Sequence, residues 1–199
     1  SADKTVRVWR PSQGVESASA DGHTGNVKSI AFHPSGHWFV TGADDCTARI
    51  WCVDRMQQQV VLAGHTGGVR SVAFSPDGRQ VLTGAWDGTA IVWDAIAGAM
   101  VRCFSGHGGP LRSAAFGPMD GMVTTASFDK TVRIWRLDDG HVMNTITPGS
   151  AEAYAVAISP AGSSLAVLLR SGELVMYRVA DWVETWRIQA HDAVGNALA

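Results

Sequence analysis

Residues 64–94 read GHTGGVRSVAFSPDGRQVLTGAWDGTAIVWD. Three apolar, β-prone runs stand out: VRSVAF (69–74), QVLTGA (80–85) and TAIVW (89–93). Two turn signals separate them. In SPDG (75–78) the Pro presets φ and the Gly permits a positive φ, and WDG (86–88) carries the Asp-Gly dipeptide of tight hairpins. The next residues, AIAG (95–98), turn again, and AMVRCF (99–104) is a fourth run. Strands this close together, joined by loops this short, predict an antiparallel four-stranded meander. No segment holds a 3.6-residue apolar period long enough for a competing helix.

Outward from this stretch the same text returns. Residues 1–9 read SADKTVRVW and residues 127–135 read SFDKTVRIW. Trp9, Trp51, Trp93 and Trp135 step by 42, and Tyr177 takes the next slot. His23, His65 and His107 keep the same beat, as do Thr41, Thr83 and Thr125, and Asp3, Asp45, Asp87 and Asp129. Several residue classes in one register mark an internal repeat. In the third strand Ala90 and Val92 point one way, Ile91 and Trp93 the other, and both sets are apolar. Such a sheet must be covered on both faces, and its own copies are the available cover. The expected fold class is therefore all-β: a β-propeller of four-stranded antiparallel blades stacked radially.

The order Gly-His, strand, Phe-x-Pro-x-Gly, strand, Asp, strand, Trp resembles the WD-repeat propeller family across essentially the whole chain. Residues 64–105 match best, with GH, FSPDG, TGAWD and Trp93-Asp94; 22–63 carry GH, FHPSG, TGADD and Trp51; 106–147 carry GH, FGPMDG, TASFD and Trp135. Residues 148–189 are a degenerate repeat, with Gly149, Val167, Ser171 and Tyr177 in the His, Thr, Asp and Trp slots. Residues 1–21 read as a partial repeat and 190–199 as the start of a further one. The chain is thus expected to be one propeller segment over 1–199, about four complete blades plus partial ones, forming an open arc of a larger ring. With no polar member left, blade 148–189 is expected to be held by packing alone.

His65, Thr83 and Asp87 could be mistaken for a hydroxyl nucleophile with its base and orienter. In a propeller, however, the loop before the first strand and the turn between the second and third strands lie at one end of the blade. His and Asp can then meet there, with the Thr and the indole N–H completing a hydrogen-bonded chain, Trp–Thr–His–Asp. Three copies argue for structure over catalysis. The resemblance implies the same, and assigns structural tetrads to His23, Thr41, Asp45 and Trp51, to His65, Thr83, Asp87 and Trp93, and to His107, Thr125, Asp129 and Trp135.

Function should then sit on exposed positions of the faces. Asp44, Trp86, Phe128 and Arg170 precede the Asp slot at the turn tip, and Lys28, Arg70, Arg112 and Tyr154 lie five residues after the His slot. The resemblance places both sets on the top face around the central opening. Arginine and aromatic residues are enriched in binding hot spots, and the cations suit an acidic or phosphorylated peptide. The other reading of the same residues is packing between blades and local ion pairing. His33 and His37 have zinc-like spacing but flank a turn, so no metal site is expected there.

Apolar residues make up 46% of the 199 residues and charged ones 17%, enough for a core, and the net charge of −2 offers no electrostatic case for nucleic acid or membrane partners. Three cysteines, Cys46, Cys52 and Cys103, make no disulfide framework and suggest an intracellular protein, cytoplasmic or nuclear, with Cys52 and Cys103 buried. The reading as a whole is a scaffold for protein–protein interaction, without catalysis or cofactor and part of a multiprotein complex. The alternatives are a regulatory or substrate-receptor subunit of an enzyme complex, or a reader of an acidic or modified peptide at the central opening.

Overall fold

The computed structural model describes residues 2–10, 15–117 and 121–191, and every regular element among them is a strand. A two-stranded sheet, β1 (Val6–Arg10) and β2 (Val15–Ala20), precedes four sheets of four. The first complete blade contains β3 (Val27–Phe32), β4 (Trp38–Ala43), β5 (Thr47–Cys52) and β6 (Gln57–Ala63); the second, β7 (Val69–Phe74), β8 (Gln80–Ala85), β9 (Ala90–Asp94) and β10 (Met100–Phe104). The third contains β11 (Leu111–Phe116), β12 (Met122–Ser127), β13 (Val132–Arg136) and β14 (Val142–Ile146); the fourth, β15 (Ala153–Ile158), β16 (Ser164–Leu169), β17 (Glu173–Arg178) and β18 (Val183–Gln189). Every pairing is antiparallel and between consecutive strands.

The core lies between blades rather than within them. Val40, Ile50 and Leu62 of the first blade pack with Val69, Val72 and Trp93 of the second. Leu82, Val92 and Phe104 of the second meet Leu111, Val123 and Trp135 of the third. Ala126, Ile134 and Ile146 of the third meet Val156, Leu165 and Tyr177 of the fourth. All of Ala90, Ile91, Val92 and Trp93 are at most 2% exposed, so both faces of the central strand are covered. The innermost strands β3, β7, β11 and β15 lie side by side in sequence, and among the described residues the sheets form an open arc, not a closed ring.

A second set of contacts joins the blades where the core ends. Ser29 Oγ accepts the amide of Val72 at 3.2 Å, Ser71 Oγ that of Ala114 at 3.1 Å, and Ser113 Oγ that of Val156 at 3.3 Å. These serines also recur at 42, and Ala155 ends the series.

The backbone explains why the functional slots gather at one end. The residue after each Asp slot turns with positive φ: Lys4 (68°), Cys46 (65°), Gly88 (81°), Lys130 (70°) and Gly172 (85°). Only Gly takes that conformation freely, so the three non-glycine turns are held by their surroundings. Each tip is pinned back to the loop before the inner strand. The amides of Asp44, Trp86, Phe128 and Arg170 donate to the carbonyls of Asn26, Gly68, Pro110 and Glu152 at 2.9–3.0 Å.

Three expectations need correction or limit. Cys103 is exposed, because β10 is the outer edge of its blade, and Cys52, at the end of β5, is only half-buried. The fourth blade is not held by packing alone. The guanidinium of Arg187, on β18, donates to the Pro148 carbonyl at 2.6 Å, to Glu184 at 2.9 Å and to Glu173 at 3.2 Å. It ties the outer strand to the loop where the other blades place a histidine. The further strand expected after residue 190 falls at 192–199, outside the described residues.

Candidate functional site

The tetrad geometry is the same in three blades. In the second, Trp93 Nε1 lies 2.9 Å from Thr83 Oγ1, His65 Nε2 2.7 Å from the same oxygen, and His65 Nδ1 2.9 Å from Asp87 Oδ2. The corresponding distances are 2.8, 2.8 and 2.8 Å for Trp51, Thr41, His23 and Asp45. They are 2.8, 2.7 and 2.7 Å for Trp135, Thr125, His107 and Asp129. The proton order follows from what each group can do. An ionised carboxylate only accepts, so the imidazole carries its proton on Nδ1. Its Nε2 then accepts from the Thr hydroxyl, and that oxygen accepts from the indole. Every donor has one acceptor, and the set is closed.

The carboxylate is held further by groups that the sequence reading did not single out. Thr47, Thr89 and Thr131 each donate a hydroxyl, at 2.6–2.7 Å, and a backbone amide to the preceding Asp. Their signal was present, since they recur two residues after each Asp. Burial alone would raise the pKa of Asp45 and Asp129. The threonine hydroxyls, the histidines and the backbone amides outweigh it and bring both to about 2. Asp87 is lowered by the same kind of contacts against burial. Burial is the largest influence on His23, His65 and His107 and lowers all three, against the pull of their carboxylates. The hydroxyls of Thr41, Thr83 and Thr125 are fully buried between an indole and an imidazole.

Beside the tetrad end lies the second candidate group. Lys28, Arg70, Arg112 and Tyr154 line a groove of about 330 Å³ along the inner strands, together with Ser29, Ser71 and Ser113. Asp44, Trp86, Phe128 and Arg170 are not part of its lining but contact the side chains that are or stand next to them. Asp44 receives Lys28 at 3.3 Å and Arg70 at 3.0 Å. The Arg70 guanidinium also lies 3.8 Å over the Trp86 ring, which remains 48% exposed. Arg112 lies 4.6 Å over Tyr154, and Phe128 stacks on the same tyrosine at 6.1 Å. Arg170 pairs at 3.2 Å with Glu152, a residue the sequence reading passed over because its slot holds Asn26, Gly68 and Pro110 in the other blades.

The reading as local ion pairing and packing between blades holds for several members of this group. Arg70, Lys28 and Arg170 pair with local acids, and Phe128 packs across to the next blade. Yet two cations share the one Asp44 carboxylate, and Arg112 has no carboxylate partner among the described residues. The groove keeps a positive excess next to exposed aromatic surface. His33 is engaged elsewhere, by Ser35, Trp38 and Phe74, and no cluster of His, Cys, Asp and Glu that could hold a metal occurs among the described residues.

A family profile described as "WD domain, G-beta repeat" matches residues 14–52, 56–94 and 98–136, together more than half of the chain. Its unit starts in the outer strand of one sheet and ends in the third strand of the next: 56–94 takes in β6, β7, β8 and β9. No curated protein matches the sequence. Repeats of this kind generally serve as scaffolds for protein interaction and are typically non-catalytic. The repeated tetrads, the four-stranded sheets and the profile agree, and the chain belongs to the WD domain, G-beta repeat family.

Proposed function

We propose that this chain is a non-catalytic scaffold that binds an acidic or phosphorylated segment of a partner protein across its top face, within a multiprotein complex. The observation that carries this is the charge balance of the groove. Arg112 lacks a carboxylate partner among the described residues, and Lys28 and Arg70 divide one, while Trp86 leaves nearly half its surface open beside them. A phosphate or carboxylate entering there gains charge-assisted hydrogen bonds that the protein does not already make. The exposed indole and the Phe128–Tyr154 stack supply apolar contact.

Reversal of Arg112 to Glu, alone and with Trp86→Ala, tests this by affinity capture against the unchanged chain. The partner set should be lost, while the stability of the isolated protein is unaltered. Retention of the same partners by the double variant would overturn the reading. The three free cysteines are in keeping with an intracellular compartment, which we propose on that ground.

A further inference from the structure

At the end of the blades opposite the tetrads, the gaps between neighbouring sheets share a backbone but are filled differently. Between the first and second complete blades the gap is occupied by His33. Its ring meets Phe74 edge-on at 5.0 Å and Trp38 at 5.4 Å, and its Nδ1 lies 2.8 Å from Ser35 Oγ. The fit is tight enough that a Cβ added at Gly78 would collide with His33 Nε2.

One period later the aromatic wall is kept, but the filler and its other neighbours change. Phe116 takes the place of Phe74, and Asp77 that of Ser35. His33, however, becomes Ser75, and Trp38 becomes Gln80. The small Ser75 side chain folds back, with its hydroxyl 2.6 Å from Asp77 Oδ1. What remains is a cleft of about 270 Å³, walled by Ser75, Asp77 and Gln80 on one side and by Phe116, Met122 and Leu137 on the other. At Gly121, on its rim, an added Cβ would meet nothing within 4 Å.

We propose that the cleft between the second and third complete blades binds the imidazole ring of a histidine presented by a partner protein. It would meet Phe116 edge-on as His33 meets Phe74, with a ring nitrogen turned to Asp77 as His33 Nδ1 is turned to Ser35. A carboxylate in the place of a hydroxyl makes the site select the cationic ring, since a charge-assisted hydrogen bond is about twice as strong as a neutral one. The Ser75 hydroxyl and the Arg79 amide hold the Asp77 carboxyl below its ordinary pKa, and the Arg79 guanidinium, which also lines the cleft, pairs loosely with the second oxygen at 3.8 Å while its side chain stays 87% exposed. The site is distant from the tetrad end and does not depend on the top-face proposal.

The probe is 4-methylimidazole, titrated into the isotope-labelled 199-residue chain at pH 6 and followed by amide shifts, with indole as the neutral ring. The expected result is saturable shifts at Ser75, Asp77, Gln80 and Gly121, with Kd on the order of millimolar for so small a ligand. Ser75→His should place the protein's own ring in the cleft and abolish the shifts. Ser75→Ala should leave them, and Asp77→Asn should weaken binding about fivefold or more. If Ser75→His fails to fold, the Ser75→Ala and Asp77→Asn pair decides. Absence of saturable shifts at these amides, unchanged binding in Asp77→Asn, or indole binding as tightly as 4-methylimidazole would each overturn the proposal.

Discussion

Thr124 and Thr125 offer a test of the tetrad on one strand. Both are fully buried in β12, and Thr→Val changes each by the same atoms. Their hydroxyls do different things. Thr125 Oγ1 is the hub between Trp135 Nε1, at 2.8 Å, and His107 Nε2, at 2.7 Å. Thr124 Oγ1 has only a long contact of 3.4 Å to the Ala115 carbonyl. Thr125→Val strands two buried polar groups, each costing about 1–3 kcal/mol, so the expected loss is about 2–6 kcal/mol. Thr124→Val removes one weak bond, at most about 1 kcal/mol. Urea unfolding followed by tryptophan fluorescence measures both, with the slope unchanged if only the native state is affected. A second arm adds Asp129→Ala: in the Thr125→Val background it should cost much less than in the unchanged protein, because the network is already broken. Equal losses for the two valine variants would show that the tetrad is ordinary packing, and the structural reading of all three copies would fall.

Other outcomes follow from the same contacts. The histidines have folded pKa values below their ordinary 6.5, so the folded state binds fewer protons and stability declines as pH falls below about that value. Asp45 and Asp129 add a second loss between 3.8 and about 2, and a urea midpoint measured from pH 8 to 2 should fall in two stages. Ser71→Ala removes the bridge to both the amide and the carbonyl of Ala114, at 3.1 and 3.2 Å, and should cost about 1 kcal/mol with faster hydrogen exchange at that amide. Arg187→Ala should raise exchange across β15–β18 while leaving the second blade's protection as it was; uniform loss across the blades would contradict its role as a local tie.

How far the sequence speaks for itself differs from residue to residue. The tetrad was legible because four polar and aromatic types recur in step, and recurrence survives without coordinates. The inner serines and the threonines two after each Asp recur just as strictly, yet they looked like ordinary strand and turn residues until their partners were seen. Arg187 gave no periodic signal at all, since Gln57–Ala63, Met100–Phe104 and Val142–Ile146 are the matching outer strands and none offers an arginine in that slot. Cys103 looked apolar and buried, but an outer strand keeps one edge to solvent whatever its composition. Trp9 shares the slot of Trp51, Trp93 and Trp135, yet is 54% exposed where they are at most 2%.

By itself the sequence determined the period, the four strands of each repeat, their turns and the polar quartet that closes on itself within a blade. These rest on contacts between residues close along the chain, where φ preferences and short loops leave few choices. Tertiary structure decided which cations share Asp44, that Phe128 leans on Tyr154, that Arg187 replaces a missing histidine, and that Ser75 leaves open the gap His33 fills. Each depends on the spacing and angle between one blade and the next. That geometry is set by the packing of whole side chains across a shared core, which no single repeat contains.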